Sequence, residues 1–109
     1  MNIERLEQTS KAVKLTVTEN GNMLGHAYLY LIHNDLHAAP YGLLEDVFVE
    51  EPYRGKGYGT KLVEAAIAEA KKRGCYKLIG TSRKERTEVH AFYDRLGFKN
   101  YGLEFRMDF

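Results

Sequence analysis

The sequence predicts a single domain of mixed α/β or α+β class, one sheet flanked by helices. Three observations carry this: period-two alternation on both sides of an Asn-Gly pair, two later apolar stripes with helical period, and a short apolar run between those stripes. In the first third, Val13, Leu15 and Val17 alternate with Lys14, Thr16 and Thr18, which reads as a half-buried strand over Ala12–Thr18. Asn20-Gly21 supplies the two residues that best tolerate the positive φ of a tight hairpin turn. Leu24–Ile32 then returns as a second strand, rich in Leu and Tyr. Ile3–Leu6, ahead of the hairpin, reads either as a short strand or as a frayed lead-in.

His33–Gly42 is polar, contains Pro40 and reads as a loop. Leu43–Val49 is a third strand, apolar on both sides except at Glu45 and Asp46, two adjacent acids whose burial inside a strand needs a reason. After Glu51-Pro52, the run Arg54-Gly55-Lys56-Gly57-Tyr58-Gly59-Thr60 leads into a helix marked by Leu62, Val63, Ala66, Ile67 and Ala70. Lys71, Lys72 and Arg73 suit its C-terminal dipole, and Gly74 is a natural terminator. Tyr76–Thr81 is a fourth strand. Thr87 as N-cap, then Val89, Phe92, Tyr93 and Leu96, predict a second helix closed by Gly97. Leu103, Phe105, Met107 and Phe109 alternate with charged residues and predict a final strand. Hairpin strands therefore precede a strand–helix–strand unit, which should be parallel and right-handed.

Composition limits the functions. The chain has 109 residues, 44% of them apolar, enough for one core and one domain spanning 1–109. Sixteen basic against fifteen acidic residues give a net charge of +1, so no global field attracts nucleic acid or an anionic membrane. No stretch approaches the roughly 20 apolar residues of a membrane span, and the first residues lack a signal-peptide apolar run. Cys75 is the only cysteine, which excludes an internal disulfide and makes a reducing, cytoplasmic setting the simplest expectation. His33, Asp35 and His37 alternate in a polar loop with no fourth ligand at a recognised spacing; they read as solvated residues, and no metal is expected. His90 and Asp94 read as a surface helix pair.

The glycine-rich run is the chemically informative stretch. Glycines at 55, 57 and 59 disfavour a helix start unless the backbone must turn sharply or approach something closely. They lie between a strand end and a helix N-terminus, where free N–H groups and the helix dipole favour an anion. Arg54 and Lys56 add positive charge, and Thr60 offers a hydroxyl. The nucleotide P-loop spacing is absent, because Gly59-Thr60-Lys61 does not follow a glycine at the required distance. The dinucleotide fingerprint also fails: Thr60 stands where its third glycine belongs, and Thr81-Ser82-Arg83 stands where its acid belongs.

Arg54-Gly55-Lys56-Gly57-Tyr58-Gly59 does match the Arg/Gln-x-x-Gly-x-Gly/Ala signature of the GNAT superfamily of acetyltransferases. Leu44-Glu45-Asp46-Val47-Phe48-Val49 resembles that family's central strand, with wording similar to the diamine acetyltransferase branch, and Ala91–Phe98 resembles its last helix. The resemblance covers about Ala12 to Phe109. It implies a mixed, mostly antiparallel sheet whose central parallel pair splays apart to admit the pantetheine arm of acetyl-CoA. Val47, Phe48 and Val49 would line that arm, with backbone groups of Val47 and Val49 hydrogen-bonding it. Main-chain N–H groups of Gly55, Lys56, Gly57, Tyr58, Gly59 and Thr60 would hold the pyrophosphate, while Arg54 fixes the turn or a nearby phosphate. The two helices that usually precede the hairpin are not represented, so the acceptor site is expected to be open or covered by a second subunit in a homodimer.

Acyl transfer to an amine poses two proton problems. An amine of pKa about 10.4 must shed a proton, and a departing thiolate of pKa about 8.5 benefits from gaining one. By period two, Glu45 shares a face with Val47, and the resemblance places a general base there; the plainer reading is an acid that binds a cationic acceptor. Tyr93 lies on the apolar face of the last helix, where the resemblance implies a general acid; the plainer reading is a core tyrosine. The Val47 N–H would polarise the carbonyl. Asp46 should face away and be structural. Arg86 stands where many relatives have a cofactor-contacting asparagine. The expected function is acetyl transfer to a small-molecule or peptide amine; a non-catalytic acyl-CoA-binding regulatory module is the alternative.

Overall fold

The computed structural model describes residues 1–109. Strands β1 (Lys11–Glu19) and β2 (Asn22–Ile32) form the hairpin, joined by Asn20 and Gly21 at φ 52° and 80°. Strand β3 (Tyr41–Val49) follows the loop, and a 3₁₀ turn at Glu51–Tyr53 leads to helix α1 (Tyr58–Lys72). Strand β4 (Leu78–Gly80) and helix α2 (Thr87–Arg95) complete the regular structure. The sheet order is β1-β2-β3-β4, antiparallel except for the parallel β3–β4 pair, as the strand–helix–strand unit predicts.

The core lies between the sheet and α1. Ala27, Leu29, Leu31 and Leu44 of the sheet and Leu62, Val63, Ala66 and Ala70 of α1 are buried. The alanines on α1 let the helix approach closely, and Gly42 helps: a Cβ there would sit 2.9 Å from both Leu29 Cδ1 and Leu78 Cδ1. Phe92, Tyr93, Leu96 and Phe98 close the cluster from the α2 end. Cys75 packs, half-buried, beside Leu29, Leu31 and Ala70, and burial pushes its thiol pKa up. On the opposite face His26, Tyr28 and Tyr30 follow one another as contacting rings, with no buried side chain over them.

Four expectations are corrected. The alternating segment 103–109 forms no strand: Leu103, Phe105, Met107 and Phe109 are at least 76% exposed. Alternation assigns side chains to faces, but a strand also needs a hydrogen-bonding edge, and this segment finds none. The parallel pair consequently lies at the edge of the sheet rather than at its centre. Thr87 is the first residue of α2, after Arg86, and its hydroxyl caps nothing. His90 Nε2 bonds the Arg83 carbonyl at 2.9 Å rather than pairing with Asp94, because the turn before α2 brings that carbonyl to its ring nitrogen. Ile3–Leu6 has no regular structure.

Candidate active site

Pairing between β3 and β4 stops at Leu44↔Gly80, yet β3 continues to Val49. The β4 side of residues 45–49 therefore has no neighbouring strand, and a cleft of about 380 Å³ opens there. Glu45, Asp46 and Val47 line it from β3, Thr81 to Arg83 from the loop after β4, and Tyr93 from α2. Its volume is within the range of small-ligand sites, about 300–1,000 Å³.

Strand β3 is not regular through this region. Tyr28 pairs with Glu45 but His26 pairs with Phe48, so Ala27 alone faces Asp46 and Val47. This is a β-bulge, and Asp46 takes a left-handed φ of 52° within it. The bulge overturns the period-two expectation that Glu45 and Val47 share a face. Val47 packs with Leu44 and Val49 into the α1-facing core, whereas Glu45 stands opposite Tyr28 on the other face, at the rim of the cleft. The two adjacent acids thus escape burial: Glu45 is half-buried and Asp46 exposed. Asp46 accepts a hydrogen bond from His26 Nε2 at 2.8 Å.

Tyr93 comes from the other wall. Its ring fits over Gly80, where a Cβ would lie 3.0 Å from Cζ and 3.2 Å from the hydroxyl oxygen. Burial, then the Glu45 carboxylate, raises the phenol above its ordinary pKa of 10.0. Both influences keep it protonated.

At the far end of β3 the glycine turn leaves a helix start free of capping side chains. Gly55 and Gly57 have φ of 77° and 89°, and a Cβ built at either meets nothing within 4 Å. No side chain caps α1, and its first turn holds no acid. Lys61 N–H is the first to bond inside the helix, to the Gly57 carbonyl at 3.1 Å, leaving the amides of Tyr58, Gly59 and Thr60 without intrahelical partners. Arg54 does not point into this turn. Its Nε donates to the Val49 carbonyl at 2.8 Å and its guanidinium lies over Phe48, so it ties the turn to the end of β3. Lys56 lies over Tyr53, and the Tyr58 hydroxyl donates to Glu19 at 3.3 Å; the charge of that carboxylate is the main cause that raises the phenol's pKa.

Arg86 lines the cleft while bonding Glu88 at 3.1 Å. Three further features escape a sequence reading. The His26–Asp46 bond depends on register, and Gly80 acts only against Tyr93. Glu104 and Arg106 reach the cleft from the C-terminal segment. Of the loop histidines, His37 packs against Tyr76, with ring centroids 4.1 Å apart and the planes tilted by 41°.

Residues 3–98 match the model of the acetyltransferase (GNAT) family, and the chain belongs to that family. Among curated relatives, the aminoglycoside N(6')-acetyltransferase type 1 of Stenotrophomonas maltophilia is 31% identical, over 88% of this chain and 65% of its own length. The glucosamine 6-phosphate N-acetyltransferase of Trypanosoma brucei brucei is 36% identical over 62% of this chain and 44% of its own. The chain thus spans from under half to about two thirds of these relatives. Among solved structures, a putative acetyltransferase from Agrobacterium tumefaciens superposes with a TM-score of 0.83 at 35% identity, covering 89% of this chain and 68% of that one. A protein described as a transcriptional regulator from Bacillus halodurans also scores 0.83, at 27% identity and 90% and 66% coverage. No helix is long and apolar enough to cross a membrane.

Proposed function

We propose that the chain is an N-acetyltransferase that moves the acetyl group of acetyl-CoA to a primary amine. Membership of the family supports the reaction class and the donor. The single observation that carries the site is the uncapped start of α1, a positive helix end that follows β3 beyond the stretch where that strand's β4 side is unpaired. In this reading the amides of Gly55 through Thr60 take the pyrophosphate, and Val47, Phe48 and Val49 of β3 receive the pantetheine arm. A peptide-like arm can use the free backbone groups of β3 as another strand would.

The transfer closes chemically on this chain's residues. The amine nitrogen attacks the thioester carbonyl carbon, a C–N bond forms, and the C–S bond breaks. Glu45 takes the amine proton, directly or through a water, and Tyr93 gives its phenol proton to the leaving sulfur. The Val47 N–H supplies a donor for the carbonyl oxygen. A phenol held above its ordinary pKa by burial and by Glu45 keeps its proton at neutral pH, as this role requires. The acceptor is a small-molecule or peptide amine; the named relatives act on aminoglycosides and glucosamine 6-phosphate. Nucleic acid and membrane are not proposed as partners, and the proposed setting is the cytoplasm. A homodimer belongs to the same reading, because the exposed apolar residues of 103–109 lack cover within one chain.

Acetyl-CoA consumption against a panel of polyamines, aminoglycosides, amino sugars and lysine peptides tests the reaction. Turnover with at least one amine, reduced in Tyr93→Phe, is expected. The Bacillus halodurans neighbour favours one competing reading, a regulatory module that binds acyl-CoA without reaction. Tight coenzyme A binding with no turnover across the panel, unaltered by Tyr93→Phe, selects that module instead.

A further inference from the structure

The bulge in β3 needs a holder. Apart from Asn20 in the hairpin turn, Asp46 is the only non-glycine residue with positive φ, and it lies inside a strand rather than in a turn. A left-handed residue brings Cβ against the backbone, so such a conformation persists only where its surroundings impose it. Ala27, directly opposite, has no polar side chain to offer. The one side chain that reaches Asp46 is His26, across the strand pair.

His26 is itself well fixed. Its side chain is only 17% exposed, with the Tyr28 ring edge-on at 5.8 Å and the Phe48 ring at 5.6 Å. Donation to a carboxylate requires the proton on Nε2, the atom 2.8 Å from Asp46. Nδ1 is buried with no hydrogen-bond partner. A ring that leaves one buried nitrogen unsatisfied is an unfavourable choice for a strand position unless the other nitrogen is needed.

We propose that His26 is a positioning residue for acetyl transfer: by holding Asp46 in the left-handed conformation it maintains the bulge that separates Glu45 from Val47. The bulge turns Val47 toward the α1-facing core while Glu45 stays on the opposite face at the cleft rim. Without it, period-two geometry returns the two residues to one face and displaces both the amide and the carboxylate from the cleft. The proposal rests on the transferase reading for its effect on rate, but the clamp itself is a matter of backbone conformation.

The test couples two positions. His26→Phe keeps the aromatic packing and removes the donor; it is expected to lower kcat about tenfold or more and to alter the KM for acetyl-CoA less, since misplacement of reacting groups acts on the chemical step. His26→Gln retains a donor and is expected to restore most of the rate. Glycine adopts positive φ without help. In an Asp46→Gly background, the His26→Phe change is therefore expected to alter kcat less than about twofold further, the non-additivity of residues acting through one contact. Backbone carbon NMR shifts of residues 46 and 47 read the conformation independently of activity. His26→Phe is expected to move them from left-handed toward extended values. Unmoved shifts, or an undiminished His26→Phe loss in the glycine background, would overturn the clamp. A wild-type protein with no turnover refutes the transferase reading alone, and the shifts still decide the clamp.

Discussion

Each helix follows a strand of the sheet, α1 after β3 and α2 after β4, and their first turns are treated in opposite ways. Helix α2 supplies its own anion: Glu88, in its first turn, has its carboxyl held below the ordinary carboxylate range by its own backbone N–H and by Arg86. Helix α1 has no acid in its first turn, no capping side chain, and two positive-φ glycines in the approach. A helix start is stabilised by negative charge wherever that charge comes from. One start is satisfied internally and the other is not, which is why α1 and not α2 is the proposed anion seat.

The comparison breaks most visibly if α1 is given its own carboxylate as α2 has. Gly57→Glu is expected to weaken coenzyme A binding by about 100-fold or more in calorimetry, from anion exclusion together with strain at a φ of 89°. Gly57→Ala carries the strain without the charge and should fall between that variant and wild type; equal losses in the two would attribute the effect to backbone alone.

Next in size, Tyr93→Phe should reduce kcat by about 10²-fold with cofactor affinity within a few-fold of wild type, the usual scale for one acid–base group. The same phenol sets a pH dependence. Its pKa is raised in the folded state, so its contribution to stability is complete below the ordinary value of 10.0 and is lost as pH rises through the folded pKa. Urea titrations between about pH 9 and 11 should show a steeper loss for wild type than for Tyr93→Phe. Parallel curves would remove the assigned environment.

Glu45→Gln should lower turnover by about tenfold and leave coenzyme A affinity unchanged, since a nearby water can still accept the proton. Rates equal to wild type would end its role as base. The smallest effect belongs to α2. Glu88→Gln should leave coenzyme A binding untouched and remove only part of the acid-side loss of stability. A carboxyl with a lowered folded pKa stabilises above its unfolded value of 4.5, and that stabilisation is lost as pH falls. Denaturation at about pH 3 to 6 reads it.

Local signals were the legible ones. The hairpin at Asn20-Gly21, the α1 stripe from Leu62 to Ala70 and the glycine spacing of Gly55, Gly57 and Gly59 each express a rule acting over a few residues, and each appears in the fold. The sequence could also name Glu45 and Tyr93 as candidates, and the cleft brings both to its walls. Cross-strand facts were not legible. The Asp46 bulge depends on which residue of β2 lies opposite, so alternation along β3 misassigned the face of Glu45 relative to Val47. The segment 103–109 has strand-like alternation, but pairing requires an available edge that no pattern records. Gly80 has meaning only once the Tyr93 ring is known to lie over it.

The central claim is that the backbone amides opening α1 are a diphosphate seat. Amide NMR during titration with coenzyme A tests this most directly. The Gly57, Tyr58, Gly59 and Thr60 N–H resonances are expected to shift most, saturating together with those of Val47 and Val49. Saturable binding that leaves those four amides in place, and instead shifts the first turn of α2, would contradict it.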